Sequence, residues 1–379
     1  MAKDKKTENF DKGEVSKNTL NSMMNGYKDD VYNHISEKPV KISSGSLILN
    51  AMLGGGVSNC GTIRLAGSHS SGKSSQAFLL MSNFFSTIPN SKGIYVKAEA
   101  RLSENLQTRT GLKFVFKADE WVAGTVFVLE TNQFEVMADM IESLLKVMYQ
   151  SGEKLCCIID SLDGLILSAD LKDKKITDGI KVAGVPSLLK LFNRRIGLPV
   201  NKYGALLILI SQASSDIRIN PYSKEPPRAV NGAGGASAAH CADVILEYNP
   251  RYSGDLILEN PKERPSMENK VIAHECSITI KKSTNETDSM VCRIPIKRGR
   301  VGNSVWVERE LVDMCLAFQV LKKEGAWFSF ESSLIEEAKK DGVVIKEQLH
   351  GLNGAYSYIE EDKSVFNWMY NKFSKVLTF

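Results

Sequence analysis

The feature that most constrains this chain is the octapeptide GSHSSGKS, which spans Gly67 to Ser74. It matches GxxxxGKS/T, the pattern of a loop that wraps the phosphates of a nucleoside triphosphate. The glycines let backbone N–H groups point inward, the Lys73 ammonium meets the β- and γ-phosphates, and the Ser74 hydroxyl is placed to ligate Mg²⁺. We expect these residues to contact the nucleotide: Gly67, Ser68, His69, Ser70, Ser71, Gly72, Lys73, Ser74 and Ser75.

The residues on both sides of this loop support that interpretation. Thr62–Ala66 is a short apolar run typical of a strand, and Ser75–Met81 is an uninterrupted helical run whose N-terminal dipole faces the phosphates. The alternative is a Gly/Ser-rich surface turn. His69 occupies a variable position, where we expect it to face solvent or the edge of the nucleotide without catalysing.

The composition is that of an ordinary globular protein. Among 379 residues, 43% are hydrophobic and 24% charged, so we expect one large domain with smaller appendages. The sequence predicts neither a membrane span nor a secretory signal, so we expect the protein to stay in the compartment where it is made, the cytoplasm. The seven cysteines lack metal-ligand spacing and predict reduced core residues, and a net charge of +4 is too small to argue for polyanion binding.

Apolar runs alternate with helical stretches, which favours an α/β fold with a mainly parallel sheet. We expect strands at residues 62–66, 94–98, 155–159, 205–210 and 244–246, covering helices at 134–149 and 186–196, and an antiparallel edge at 278–281 and 291–297. Residues 42–56 predict a helix that ends on three glycines. We divide the chain into an N-terminal oligomerisation segment (1–40, short helices or largely disordered), an ATPase core (41–305) and a small α+β C-terminal lobe (306–379).

Three polar residues follow predicted strands and so share an edge with the phosphate loop. Asp160 is expected to hold Mg²⁺, unless it caps the following helix. Glu99 is the candidate general base for the attacking water, unless it forms a surface salt bridge with Lys97 or Arg101. Gln212 precedes a long aperiodic stretch, residues 213–235, and we hypothesise that it couples the γ-phosphate to that segment.

The order of motifs resembles the RecA-type recombinases, and the size and divergence of the chain resemble a phage or phage-related member. The resemblance covers roughly residues 40–330. The motifs are ISSGSL, GSHSSGKS, AEA, IIDSL, LISQ, NGAGGASAAHCADVILE and GAWFSF. Its most specific parts are the end of the long loop with the strand after it, and the GAWFSF block at 325–330.

The resemblance implies a RecA-like P-loop ATPase that forms a helical filament on single-stranded DNA, pairs it with homologous duplex DNA and exchanges strands in recombination and repair. It also implies ATP and Mg²⁺ as cofactors and single-strand-binding and mediator proteins as partners. By position, Lys73 and Ser74 match the triphosphate and Mg²⁺ ligands, Glu99 the catalytic glutamate, Asp160 the second-strand aspartate and Gln212 the γ-phosphate sensor.

Two axial loops grip DNA in this family, and they correspond here to about 168–186 and 213–235. The matching basic residues are Lys172, Lys174, Lys175, Lys181, Arg218, Lys224 and Arg228, and Arg194 and Arg195 follow the first loop. Without the family, lysine-bearing loops are more often solvated surface. Contacts of this type neutralise phosphates independently of sequence, as a homology search requires.

The family also sends basic residues to the γ-phosphate of the neighbouring subunit, and Lys281 and Lys282 lie in the matching strand. The two lysines are adjacent here, whereas the bacterial pattern separates them by one residue; the alignment favours Lys282. Three further departures are Lys97 in place of an acidic residue, no aromatic counterpart near Leu106, and no acidic C-terminal tail. Two alternative functions are a hexameric RecA-fold helicase or motor and a regulatory recombinase paralogue that exchanges nothing.

Overall fold

The computed structural model describes residues 12–26, 39–99, 102–172, 184–212, 214–215, 229–230, 241–260 and 263–377. The chain divides into two units, Met1–Lys38 and Pro39–Phe379. The first contains helix α1 (Lys12–Gly26), which agrees with the short helix expected there. Residues 39–379 form one compact unit, and the proposed boundary between residues 305 and 306 stays a prediction.

The elements of the larger unit follow in chain order. Its first part contains β1 (Lys41–Ile42), α2 (Leu47–Met52), β2 (Val57–Ser58), β3 (Gly61–Gly67), α3 (Lys73–Thr87), β4 (Ser91–Lys97), α4 (Glu104–Thr110), β5 (Lys113–Val115), β6 (Thr125–Glu130), α5 (Phe134–Gln150), β7 (Lys154–Asp160), α6 (Ser168–Lys172), α7 (Gly184–Tyr203) and β8 (Leu206–Gln212). Its second part contains β9 (Ser214–Ser215), β10 (Ala229–Val230), β11 (Val244–Tyr248), β12 (Leu256–Leu258), β13 (Val271–Lys282), β14 (Val291–Lys297), α8 (Val307–Ala317), β15 (Leu321–Glu324), β16 (Trp327–Phe330), α9 (Ser332–Lys340), β17 (Gln348–His350), α10 (Gly351–Glu361) and α11 (Lys363–Leu377). Short 3-10 helices cover Ala118–Glu120, Leu162–Gly164 and Ser253–Asp255.

A large central sheet organises this unit, and the expected α/β class is confirmed. Within the described residues its order is β12-β13-β11-β3-β8-β7-β4-β6-β5, and β14 also pairs with β13. The strands from β11 to β5 run parallel, whereas β13 is antiparallel to β11, β12 and β14. Because the parallel strands all point the same way, β3, β8, β7 and β4 end side by side at one edge.

Alternation along the strands divides the core between the two faces of the sheet. In β7, Cys156 and Ile158 pack with helix α3, while Cys157 and Ile159 pack with α5 and α7. Successive side chains of a strand point to opposite faces, so a strand buried on both sides is apolar at every position. Burial raises the pKa of the Cys157 thiol to about 12, and the cysteines of the described residues are free thiols.

The helix expected within residues 42–56 agrees with α2, which is capped by the Ser46 hydroxyl and followed by the three glycines 54–56, and β1 and β2 on either side of it pair with each other. Other segments differ from the expectations. The first expected loop is partly helical, since residues 168–172 form α6 and α7 begins at residue 184. Strands β9 and β10 pair within the stretch expected to be a loop. Strands β5 and β6 and helix α4 were not predicted.

The C-terminal part of the described chain contains a three-stranded antiparallel sheet, β15-β16-β17, together with α8 to α11. The GAWFSF block supplies β16, whose Phe328 and Phe330 are buried. The N-terminus of α2 contacts α8 through a buried carboxyl: the Ser46 hydroxyl and the Leu47 N–H donate to the two oxygens of Glu310, at 2.6 and 2.8 Å. Within the described residues no helix is long and apolar enough to cross a membrane.

The Glu310 carboxyl makes stability depend on pH. Burial raises its pKa to about 7 from an ordinary 4.5, against the opposing hydrogen bonds from Ser46 and Leu47. The folded chain therefore holds a proton that the unfolded chain releases, so the free energy of unfolding falls as pH rises through 4.5–7, by about 3 kcal/mol from this group. Glu310→Gln should remove most of that slope in urea unfolding at pH 5 and pH 8. An unchanged slope would contradict this assignment.

Candidate active site

The GSHSSGKS loop joins the end of β3 to the start of α3, the arrangement that the motif requires. Two of its glycines have backbone angles that side chains rarely adopt, with φ of 149° at Gly67 and 102° at Gly72. A Cβ at Gly67 would also overlap the carbonyl oxygen of Tyr248. The loop therefore depends on glycine both for its turn and for its close approach to β11.

Lys73 is held inside the loop. Its ammonium donates to the carbonyl oxygens of Gly67 and Ser68 at 2.9 and 2.6 Å, and its side chain is buried. Burial lowers the pKa of Lys73, while the charges of Asp160 and Asp163 oppose that shift. A buried cation in a loop at the N-terminus of a helix is well suited to bind a phosphate anion.

Asp160 ends β7 opposite the start of α3, and its Oδ2 accepts hydrogen bonds from Ser74 Oγ at 2.8 Å and Tyr95 Oη at 3.3 Å. It does not cap the following 3-10 helix, which begins after Ser161. Burial raises the pKa of Asp160, against the effect of these hydrogen bonds and of Lys73. A carboxylate next to a hydroxyl supplies the hard oxygen donors that Mg²⁺ prefers, so the residues present fit that ion.

Glu99 and Gln212 meet at the same edge of the sheet. Glu99 Oε2 accepts hydrogen bonds from the Gln212 side-chain amide at 3.2 Å and from Ser161 Oγ at 3.0 Å. Lys97 instead pairs with Glu130, at the end of the neighbouring strand, so the alternative Lys97–Glu99 salt bridge is not formed. The structure thus brings the proposed base and the proposed γ-phosphate sensor into direct contact.

Sequence reasoning missed the turn that follows β7, residues 161–164 with sequence SLDG. Besides the Ser161 contact with Glu99, the Asp163 carboxylate accepts the backbone N–H of Gln212 at 2.7 Å. Gly164 lies so close to Glu99 that a Cβ there would fall 2.9 Å from Glu99 Cδ and closer still to Cγ. The available sequence signal was the Asp-Gly pair that follows the strand-ending Asp160 after two residues.

Lys73, Ser74, Asp160, Glu99 and Gln212 line a cavity of about 810 Å³ that extends along the phosphate loop. One wall consists of α4 residues, including Leu106 and Arg109, and another of β13, β14 and the turn after β14, including His274 and Arg298. Arg251, also missed from the sequence, donates to the Ser70 carbonyl oxygen at 2.7 Å. The volume is within the range of pockets that hold small molecules.

The two candidate lysines of β13 are not among the described residues that line this cavity. Lys281 is half exposed and pairs with Glu247 at 2.8 Å, and Lys282 lies opposite Ile245 of β11. The contact of these lysines with the nucleotide of a neighbouring subunit, which the family resemblance implies, stays a prediction.

The expected DNA-binding residues are only partly described. Arg194 and Arg195 lie on α7, where Arg195 donates to Glu142 of α5 at 2.9 Å and Arg194 is exposed. Lys172 ends α6. The others lie outside the described residues: Lys174, Lys175, Lys181, Arg218, Lys224 and Arg228.

The sheet order, the phosphate loop after β3 and the carboxylate after β7 define an α/β protein with a P-loop nucleotide site and a RecA-like core. Over 344 residues the chain is 23% identical to "Protein RecA" of Chlorobium limicola, a match that covers 89% of this chain and 83% of that protein. It is 21% identical over 330 residues to "Protein RecA" of Mesoplasma florum, with 86% of each chain covered. No protein-family model matches the chain. These distant relatives support a RecA-like family; a phage origin stays a prediction.

Proposed function

We propose that this protein is an ATP-dependent DNA recombinase, which forms helical filaments on single-stranded DNA and catalyses homologous pairing and strand exchange in recombination and repair. One observation carries the proposal: Gln212, the last residue of β8 before the second expected DNA-binding segment, donates directly to Glu99. Through this contact, a change in the position of the DNA-binding segment can alter how Glu99 activates the attacking water. The relatives named RecA support the same class.

The proposed roles follow from the positions of the side chains. The loop N–H groups and Lys73 bind the triphosphate, while Ser74 and Asp160 hold Mg²⁺, which supplies charge neutralisation on the phosphates when bound. Leu106 and Arg109 line the same cavity and would offer an aliphatic side chain and a cation to the adenine of ATP.

Hydrolysis is assigned to Glu99 as the residue that orients the attacking water and accepts its proton. Ser161 and Gln212 both donate to Oε2, which fixes the orientation of the carboxylate. When ATP is bound between successive subunits, the filament grips DNA; hydrolysis weakens that interface and releases DNA. Residues 1–40 are proposed to pack on the adjacent protomer, and the two basic loops and Arg194 to contact DNA phosphates.

The test is electron microscopy of the full chain with single-stranded DNA and a non-hydrolysable ATP analogue, together with ATP hydrolysis with and without DNA. We expect helical filaments and DNA-stimulated hydrolysis, and loss of both in Lys73→Ala. Closed rings would indicate a helicase or motor. If the chain formed no assembly and its ATP hydrolysis were not stimulated by DNA, it would be a regulatory paralogue and the proposal would be refuted.

Removing both β13 lysines should impair the subunit interface. In Lys281→Ala/Lys282→Ala we expect DNA-dependent ATP hydrolysis to fall by at least about tenfold, because a desolvated cation–phosphate contact is worth about 2–5 kcal/mol. Binding of a fluorescent ATP analogue to the monomer should persist. The matched control replaces Lys339 and Lys340, an exposed adjacent pair at the end of α9. Undiminished hydrolysis in the first variant would exclude the contact across subunits.

A further inference from the structure

The backbone of Gln212 is held separately from its side chain. The side-chain amide contacts Glu99, while the main-chain N–H donates to Asp163 Oδ2 at 2.7 Å. Gln212 is exposed and is the last residue of β8; it lies opposite Gly67 of β3, whereas the pairing of β8 with β7 ends at Leu209. Because a hydrogen bond to a carboxylate is about twice as strong as one between neutral groups, the contact with Asp163 is a strong restraint on the Gln212 backbone on the β7 side.

A buried arginine lies behind this contact. Arg64, in the middle of β3, is only 2% exposed, and its Nε donates to Ser211 Oγ at 3.0 Å. Burial lowers the pKa of Arg64, and the charges of Asp163 and Glu247 oppose that shift. A buried charge requires compensation of this type. Through this hydrogen bond Arg64 holds Ser211, the residue just before Gln212.

The set of charged residues around Arg64 extends to the neighbouring strands of the sheet. Glu247 on β11 pairs with Lys281 on β13, at 2.8 Å. Four groups of alternating charge therefore extend from the turn after β7 to the strand that carries the candidate intersubunit lysines: Asp163, Arg64, Glu247 and Lys281. Asp163, Arg64 and Glu247 are not among the described residues that line the nucleotide cavity, so contacts with phosphate do not explain their presence.

We propose that Asp163 and Arg64 are positioning residues for ATP hydrolysis: Arg64 holds Ser211, and Asp163 holds the Gln212 backbone, so that the Gln212 amide stays on Glu99. The inference rests on the proposed function, because it assigns a positioning element to that site. ATP hydrolysis would then depend on the Asp163 carboxylate, which itself contacts neither the nucleotide nor DNA.

The test compares Asp163→Ala and Asp163→Asn in the full chain. Asp163→Ala should lower kcat for DNA-stimulated ATP hydrolysis about 10- to 100-fold, the value of a hydrogen bond to a charged group, with KM for ATP changed less than about twofold. Asp163→Asn keeps an acceptor for the Gln212 N–H and should recover part of kcat. The matched control is Asp119→Ala, an exposed Asp on another 3-10 helix.

A purely structural role is distinguished by a double-mutant cycle with Gln212→Ala. If Asp163 acts through Gln212, Asp163→Ala should cost little more in the Gln212→Ala background. Additive losses, or a rise in KM equal to the fall in kcat, would overturn the proposal. Arg64→Lys should reproduce the effect in weaker form; if that variant does not fold, the Asp163 variants still decide.

Amide hydrogen exchange provides a readout that needs no activity. In Asp163→Ala, exchange in a peptide that covers residues 206–212 should accelerate at the Gln212 amide, and in Asp119→Ala it should not. If exchange of the Gln212 amide were unchanged, Asp163 would not hold the Gln212 backbone, even if kcat fell. An inactive wild-type chain would refute the proposed function, whereas the exchange measurement would still decide whether Asp163 holds Gln212.

Discussion

Glu99→Gln is expected to lower kcat for ATP hydrolysis by about 10²–10⁴-fold, the usual contribution of a general base. The glutamine amide oxygen can still accept the hydrogen bonds from Ser161 and Gln212, so the geometry should remain while the basic oxygen is lost. Binding of ATP should be nearly unchanged, because Lys73 and the loop N–H groups are untouched. The measurements are single-turnover hydrolysis and equilibrium binding of a fluorescent ATP analogue.

The matched control is Glu130→Gln. Glu130 ends β6, the strand beside β4, and its exposed carboxylate pairs with the half-buried Lys97 rather than with the site. An exposed pair contributes about 0–1 kcal/mol, so this variant should hydrolyse ATP like the wild type. If Glu99→Gln retained full kcat, the general base would have to be another group, and the assignment of the Glu99–Gln212 pair would fail.

The central strands were predictable because they carry a strong pattern. Buried parallel strands such as β7 and β8 are apolar at nearly every position, and each ends in a polar residue at the nucleotide edge. Strand β5 has only three residues and β12 only three, too few for a periodicity to develop. The pairing of β1 with β2 also escaped prediction, since two-residue strands depend on tertiary contacts rather than on local propensity.

In the site, the residues proposed to bind the nucleotide or to act on it were easier to predict than the residues that position them. Lys73, Ser74, Asp160, Glu99 and Gln212 each follow a strand or a glycine-rich loop, and this placement carries chemical meaning. Tyr95 lies inside the apolar run of β4, where nothing distinguishes it from a core residue until Asp160 is found 3.3 Å away. Arg251 and Arg64 are likewise defined only by what the fold places beside them.

Gly164→Ala is expected to inactivate hydrolysis without touching any polar group. A methyl group at this position would lie 2.9 Å from Glu99 Cδ and 3.0 Å from Oε1, so the Glu99 side chain has to move away. Displacing a catalytic group by about 1 Å costs about 10²-fold in rate, and we expect kcat to fall by that amount. Gly164 is not among the glycines with positive φ, so alanine adds no backbone strain.

The displaced side chain is exposed and can swing into solvent, so the melting temperature should change by no more than a few degrees. Gly354→Ala, on α10 with nothing within 4 Å of the added Cβ, is the matched control for both measurements. In a Glu99→Gln background Gly164→Ala should lower kcat little further, because the group it displaces has already lost its basicity. An equal loss in both backgrounds would mean that Gly164 acts on the fold of the turn after β7 rather than on Glu99.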